Sequence, residues 1–175
     1  MSRRLAVVLL AAAIANVGFT AGAGAQPPAP SALLTGTFQM SGAVTVAHNV
    51  RGERAGQTVQ RTWTFTPRCP TAPCPTVQLV RQRATGSDTL TLHRTGPETY
   101  LGMGRFSAPL RCSGRVYPGG QLIPFKIKVR VTASTGTVAS AISATYVNRS
   151  RTDLTPCIGV LGHDAARYSG QLAAG

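Results

Sequence analysis

Carboxylates are the scarcest chemistry in this chain. Only five Asp and Glu occur among 175 residues, at Glu53, Asp88, Glu98, Asp153 and Asp164, and each stands alone in a turn-like context. Carboxylate-based acid–base catalysis needs two such groups brought together, and no spacing here pairs them. Histidine is as sparse. His48, His93 and His163 are unclustered, and neither a His-Glu-x-x-His motif, a Gly-x-Ser-x-Gly elbow nor a phosphate-binding loop occurs. His163 and Asp164 would need a distant serine to form a triad, and nothing marks that serine. The cysteines run Cys69-x4-Cys74, then Cys112 and Cys157, without the paired short spacings of a zinc site. No catalytic residue, metal or cofactor is therefore assigned, and the chain reads as non-enzymatic. Helical periodicity is also missing throughout. Beyond the N-terminus no apolar run approaches the roughly 20 residues that a spanning helix requires.

What the N-terminus does contain is a charged head, Arg3-Arg4, an apolar stretch from Leu5 to Ala15, and small residues ending Ala23-Gly24-Ala25. That pattern reads as a secretory signal peptide over residues 1–25, cut after Ala25; the alternative, an uncleaved anchor, is opposed by Asn16 and the glycines, which interrupt the apolar run a spanning helix needs. Residues 26–32 form a Pro-rich tether, extended and mobile by composition. Residues 33–175 are long enough for one domain with its own core and too short for a comfortable two.

Cations dominate the rest. There are 18 Lys and Arg, 16 of them arginine, and the formal net charge is +13. A field of this sign favours anionic envelope polymers, anionic lipid surfaces or nucleic acid, with a strength that falls as salt rises. For an exported chain the envelope polymer is the expected partner, in a secreted or cell-envelope location. Four cysteines in an exported chain read as two disulfides. Of three possible pairings, Cys69–Cys74 with Cys112–Cys157 is favoured, because Cys69 and Cys74 close easily across a Pro-rich tip. Loop entropy assigns ~2 kcal/mol to the short bridge and ~4 kcal/mol to the long one.

The stretch Arg61–Thr76, RTWTFTPRCPTAPCPT, organises the fold. Val59, Trp63 and Phe65 alternate with Thr58, Gln60, Thr62 and Thr64, as in a half-buried strand that stops at Pro67 and enters a covalently pinned loop. Strands are also expected over Thr37–Val46, Thr76–Arg83, Thr89–Arg94, Glu98–Phe106 and Leu110–Tyr117. A hairpin comes next, Pro124–Thr132 with Thr137–Asn148, and a last strand is expected over Arg167–Ala173. Turns are expected at Gly86-Ser87-Asp88, Gly96-Pro97, Pro118-Gly119-Gly120 and Ser134-Thr135-Gly136, and a loop over Arg149–Ala165. The fold class is all-β, an antiparallel barrel or two-sheet sandwich of about eight or nine strands. A last strand able to lie beside the first would hide both sheet edges, which favours the barrel.

The combination Trp63-x-Phe65-x-Pro67-x-Cys69-x4-Cys74, followed by Tyr100-x-Gly102 and the isolated Cys112, resembles a pattern in small exported β-domain proteins of actinobacterial type. The resemblance covers the middle third of the chain. It implies a disulfide-tied extracellular β module and supplies no catalytic residues.

The residues suggest three modes of binding. Lys126, Lys128 and Arg130 lie ~6.8 Å apart along one strand face, close enough for a polyanion to bridge. The only aromatic of that strand, Phe125, lies on its opposite face, which argues against single-stranded nucleic acid. Arg68, beside Cys69 in a rigid loop, is the contact a disulfide-pinned protease inhibitor would present. Finally, Phe38, Met40, Trp63, Phe65, Phe125 and Ile127 would line the cavity of a carrier for a small apolar ligand, or equally fill a solid core.

Overall fold

The computed structural model describes residues 31–84, 86–154 and 156–174. The expected signal peptide and residues 26–30 of the expected tether lie outside the described residues. Eight strands succeed one another: β1 (Gly36–His48), β2 (Thr58–Pro67), β3 (Thr76–Arg83), β4 (Gly86–Gly96), β5 (Thr99–Cys112), β6 (Arg115–Thr135), β7 (Val138–Asp153) and β8 (Gly159–Leu172). Each pairs antiparallel with its neighbours in sequence. β8 returns to β1 with a register running from Phe38↔Leu172 to His48↔His163, so the sheet is a closed barrel. Closure leaves no free edge along the sheet, which settles the barrel against the sandwich.

The alternation read from the sequence holds where the barrel is regular. On β6, Ile123, Phe125, Ile127, Val129 and Val131 point inward, while Lys126, Lys128 and Arg130 are exposed. On this strand the outward positions are thus cationic and the inward ones apolar. An eight-stranded barrel is just wide enough for side chains to fill. Phe38, Met40, Trp63, Phe65, Leu79, Leu92, Tyr100 and Ile142 are all within 1 % of full burial and form one cluster. Gly102 is part of that fit: a Cβ there would stand 2.6 Å from Leu92 Cδ2 and 2.8 Å from the Thr91 carbonyl oxygen.

Several turns lie elsewhere than the sequence suggests. Gly86, Ser87 and Asp88 belong to β4, because Arg81↔Asp88 through Arg83↔Gly86 remain paired. Leu110–Tyr117 is a hairpin tip instead of one strand. Ser113 and Gly114, with φ of 47° and 77°, connect Cys112 to its partner Arg115. Two successive positive φ values are what a two-residue type I′ turn requires. Pro118-Gly119-Gly120 is inside β6, where β7 has not yet begun to pair; its partnership with β6 starts at Gln121↔Asp153. A proline that breaks a central strand is tolerated where one side is unpaired. Likewise Arg149–Ala165 is the end of β7, a turn and the start of β8.

The two ends of the barrel differ. One is plugged. Leu34 is fully buried and Ala32 nearly so, and Leu33 is clamped to β7 by hydrogen bonds from its N–H to the Thr137 carbonyl (2.8 Å) and from Ala139 N–H to its own carbonyl (3.0 Å). Burying a leucine in full contributes about 2 kcal/mol. Ser31, at the end of the expected tether, already donates to the Pro97 carbonyl and accepts from Arg94. The Cys69–Cys74 bridge closes the same end, with the Cys74 side chain fully buried against the core. The other end carries the β1–β2, β3–β4, β5–β6 and β7–β8 connections, and there Cys112–Cys157 joins the tips of the last two hairpins.

Candidate functional site: the barrel mouth

At this second end the inward positions change character. The phase of β2 that buries Trp63 and Phe65 continues to Arg61; on β3, Val77 and Leu79 give way to Arg81 and Arg83; on β4, Leu92 and Leu90 give way to Asp88. Charged side chains therefore replace apolar ones at the level where the core meets the mouth. They enclose a cavity of about 220 Å³ whose wall includes Arg61, Arg81, Arg83, Arg151, Glu53 and Asp164, with Tyr146 and Tyr168 beside them.

Two ion-pair groups hold this ring. Arg81 grips Asp88 in a bidentate pair, Nε to Oδ1 and Nη2 to Oδ2, both 2.8 Å, and its guanidinium lies 4.1 Å from the Phe125 ring centre. Arg83 Nε stands 2.9 Å from Asp88 Oδ2 without hydrogen-bond alignment, and its guanidinium stacks 4.0 Å from Phe106. Across the mouth, Arg151 donates from Nε to Asp164 Oδ1 and from Nη2 to Glu53 Oε1, each at 3.0 Å. Planar guanidinium groups suit both the forked carboxylate contact and the aromatic face.

A β-bulge puts Arg151 there. On β7 the inward positions run Ile142, Ala144, Tyr146 and Asn148, so strict alternation would continue through Ser150. The register with β8 shifts between Asn148 and Arg151, and the side chain of Asn148 fastens the irregularity by donating to the carbonyls of Pro124 and Ser150. An inserted residue reverses the parity of the residues after it, which turns Arg151 inward to meet Asp164 and buries Asp153, which accepts from Gln121 Nε2 at 3.2 Å.

The electrostatics are set by burial. Glu53 is held above its ordinary 4.5 by loss of hydration, with the charge of Asp164 adding to the effect and Arg151 opposing it. Burial acts against the charge of Arg151, but its hydrogen bond to Asp164 and the charges of Asp164 and Glu53 outweigh this and raise it. Burial also pushes the Tyr146 and Tyr168 hydroxyls up, so both face the cavity as neutral donors. Arg61 differs from the other three arginines. Its Nη1 donates to the Gln60 carbonyl at 2.7 Å, and it makes no salt bridge among the described residues.

The residues singled out from sequence lie elsewhere. Lys126, Lys128 and Arg130 are exposed on the outer wall, and Met103 and Val147 are the cross-strand neighbours of Lys126. Arg68 is exposed at the plugged end, where its N–H continues the β2–β3 ladder by donating to the Thr76 carbonyl at 3.1 Å. The disulfide pairing is Cys69–Cys74 and Cys112–Cys157, with Cα separations of 5.7 and 6.4 Å. Phe38, Met40, Trp63, Phe65, Phe125 and Ile127 are between 0 and 5 % exposed, and none of them lines the mouth cavity. His163 and Asp164 do not converge. Adjacent strand residues face opposite sides, so Asp164 enters the barrel while His163 is exposed and stacks on His48 with ring centres 5.0 Å apart. Sequence reading missed Arg61, Arg81, Arg83 and Asp88, although each falls in the inward phase of its own strand. Comparison with known protein families, curated proteins and solved structures yields no match for this chain.

Proposed function

We propose that this chain is an exported, non-enzymatic binding module that takes a small anionic ligand into the mouth of its barrel. The observation that carries the reading is the guanidinium lining of the cavity: Arg81 and Arg83 share the one carboxylate of Asp88, Arg151 bridges Glu53 and Asp164, and Arg61 is free of any salt bridge among the described residues. A buried ion pair is often no more stabilising than apolar packing of equal volume, so charges retained at the top of an otherwise apolar core favour a binding role. Tyr146 and Tyr168 offer neutral hydroxyl donors beside the guanidinium groups. The volume is below the ~300–1,000 Å³ of drug-sized pockets, which suits a ligand no larger than a small carboxylate or phosphate ester. Because the six apolar residues considered for a carrier pack together beneath this site, the reading favours an anionic ligand over an apolar one. Two disulfides accord with an oxidising compartment and hence with export.

The test is thermal unfolding with citrate, inorganic phosphate or glucuronate, on the parent chain and on Arg61→Gln. A specific ligand at one hundred times its Kd stabilises the folded state by about 2.7 kcal/mol. At least one of these anions should raise the melting temperature of the parent and fail to do so for Arg61→Gln. Equal response of both proteins, or none from either, refutes the proposal.

A second reading has its own support in the exposed column Lys126, Lys128, Arg130, which suits an extended anionic envelope polymer. Loss of retention on an anionic matrix when all three become Ser supports it; unchanged retention removes it.

A further inference from the structure

Seven large apolar side chains are exposed among the described residues, and four of them stand on the two hairpin tips beyond the mouth. These are Val116, Leu154, Ile158 and Val160, exposed by 52, 39, 79 and 74 %. The tips form one unit. Cys112 is bonded to Cys157, and Leu154 N–H donates to the Gly120 carbonyl at 2.8 Å. Arg111 and Arg115, both exposed, are the cross-strand partners of Val116 and Cys112. No Asp or Glu occurs from Arg105 to Ile123 or from Leu154 to His163. The acids that flank these stretches in sequence, Asp153 and Asp164, are buried and engaged by Gln121 and Arg151 respectively, and Glu53 at the same end is paired with Arg151. The tips therefore expose aliphatic and cationic groups with no carboxylate to offset them.

We infer that the linked β5–β6 and β7–β8 tips dock the barrel onto an anionic lipid bilayer, with Ile158, Val160, Val116 and Leu154 entering the headgroup–acyl boundary and Arg111 and Arg115 pairing with lipid phosphates. Aliphatic side chains beside basic ones are the recurring chemistry of interfacial attachment. Charge selects this occupant over a second copy of the chain, since self-association would set arginine against arginine. A soluble polyanion would engage the cations and leave the aliphatic groups in water. The inference stands apart from the ligand proposed for the cavity, although docking would turn the mouth towards the bilayer.

The experiment is co-sedimentation with vesicles of phosphatidylcholine alone and of phosphatidylcholine with an equal part of phosphatidylglycerol. It compares the parent chain with Ile158→Ser/Val160→Ser, with Arg111→Gln/Arg115→Gln and with Lys126→Gln/Lys128→Gln/Arg130→Gln. All these positions are exposed, so the barrel folds in each case, and circular dichroism checks that it does. The parent should bind the mixed vesicles and not the zwitterionic ones. Both tip variants should bind at least tenfold more weakly, at about fivefold per arginine removed, and the outer-wall variant should change by less than either. Absence of binding overturns the inference. So does binding that is unaffected by the aliphatic pair, or lost only with the outer-wall cations.

Discussion

Replacing Asp88 by Ala removes the carboxylate shared by Arg81 and Arg83 and leaves the guanidinium of Arg81, a residue 5 % exposed, without a counter-charge inside the barrel. Breaking a buried pair in this way costs about 3–5 kcal/mol. The guanidinium keeps its contact with the Phe125 ring at 4.1 Å, and an attraction of this kind, ~1–2 kcal/mol, is already present in the parent and offsets nothing new. Arg83 is more open, with 16 % of its side chain exposed, and regains water more readily. The expected loss is thus ~3–4 kcal/mol, read as a lower urea midpoint with an unchanged slope. The companion Arg81→Met/Asp88→Leu removes both charges and fills the same space. It should recover the parent's stability or exceed it by about 1–4 kcal/mol. A loss below about 1 kcal/mol for Asp88→Ala, or a double variant as unstable as the single one, would refute the view that this pair is buried at a cost to stability.

The same geometry sets two further outcomes. The folded-state shift of Glu53 is upward from 4.5, so its contribution to stability is fully present below that pH and is lost as pH rises through the raised value. The stability difference between parent and Glu53→Gln should therefore move against the parent over that window in pH-dependent guanidinium unfolding; a difference independent of pH counts against burial of Glu53. Of the disulfides, Cys112→Ala/Cys157→Ala opens a loop nine times longer in sequence than Cys69→Ala/Cys74→Ala, with separations of 45 and 5. The expected losses are ~4 and ~2 kcal/mol, and the reverse order in guanidinium unfolding would contradict loop closure as their main contribution.

The barrel was legible in the sequence because alternation is local. The Pro124–Thr132 strand, the Trp63 strand and the cysteine pairing needed only short-range pattern and compartment logic, and the closing strand was placed beside the first by the need to hide edges. The mouth was not legible, for two physical reasons. Arg61, Arg81, Arg83 and Asp88 occupy the inward phase of strands whose other inward residues are apolar, and a charged residue at a strand end is more often solvated than buried. Following the phase of Trp63 and Phe65 back to Arg61 was the available signal. Arg151 and Asp164 offered none, since they fall in a span without alternation, and the bulge held by Asn148 reverses the parity that would be needed to orient Arg151. The stack of His48 on His163 likewise depends on the β1–β8 register, which no local pattern encodes.

The central claim is that the mouth, and neither the outer wall nor the plugged end, holds the ligand. Amide chemical-shift mapping during a citrate titration tests it most directly. The prediction is saturable shifts confined to Glu53, Arg61, Arg83, Arg151, Asp164, Tyr168 and their strand neighbours. Shifts centred on Lys126, Lys128 and Arg130, or on Arg68 and the Cys69–Cys74 loop, would contradict it.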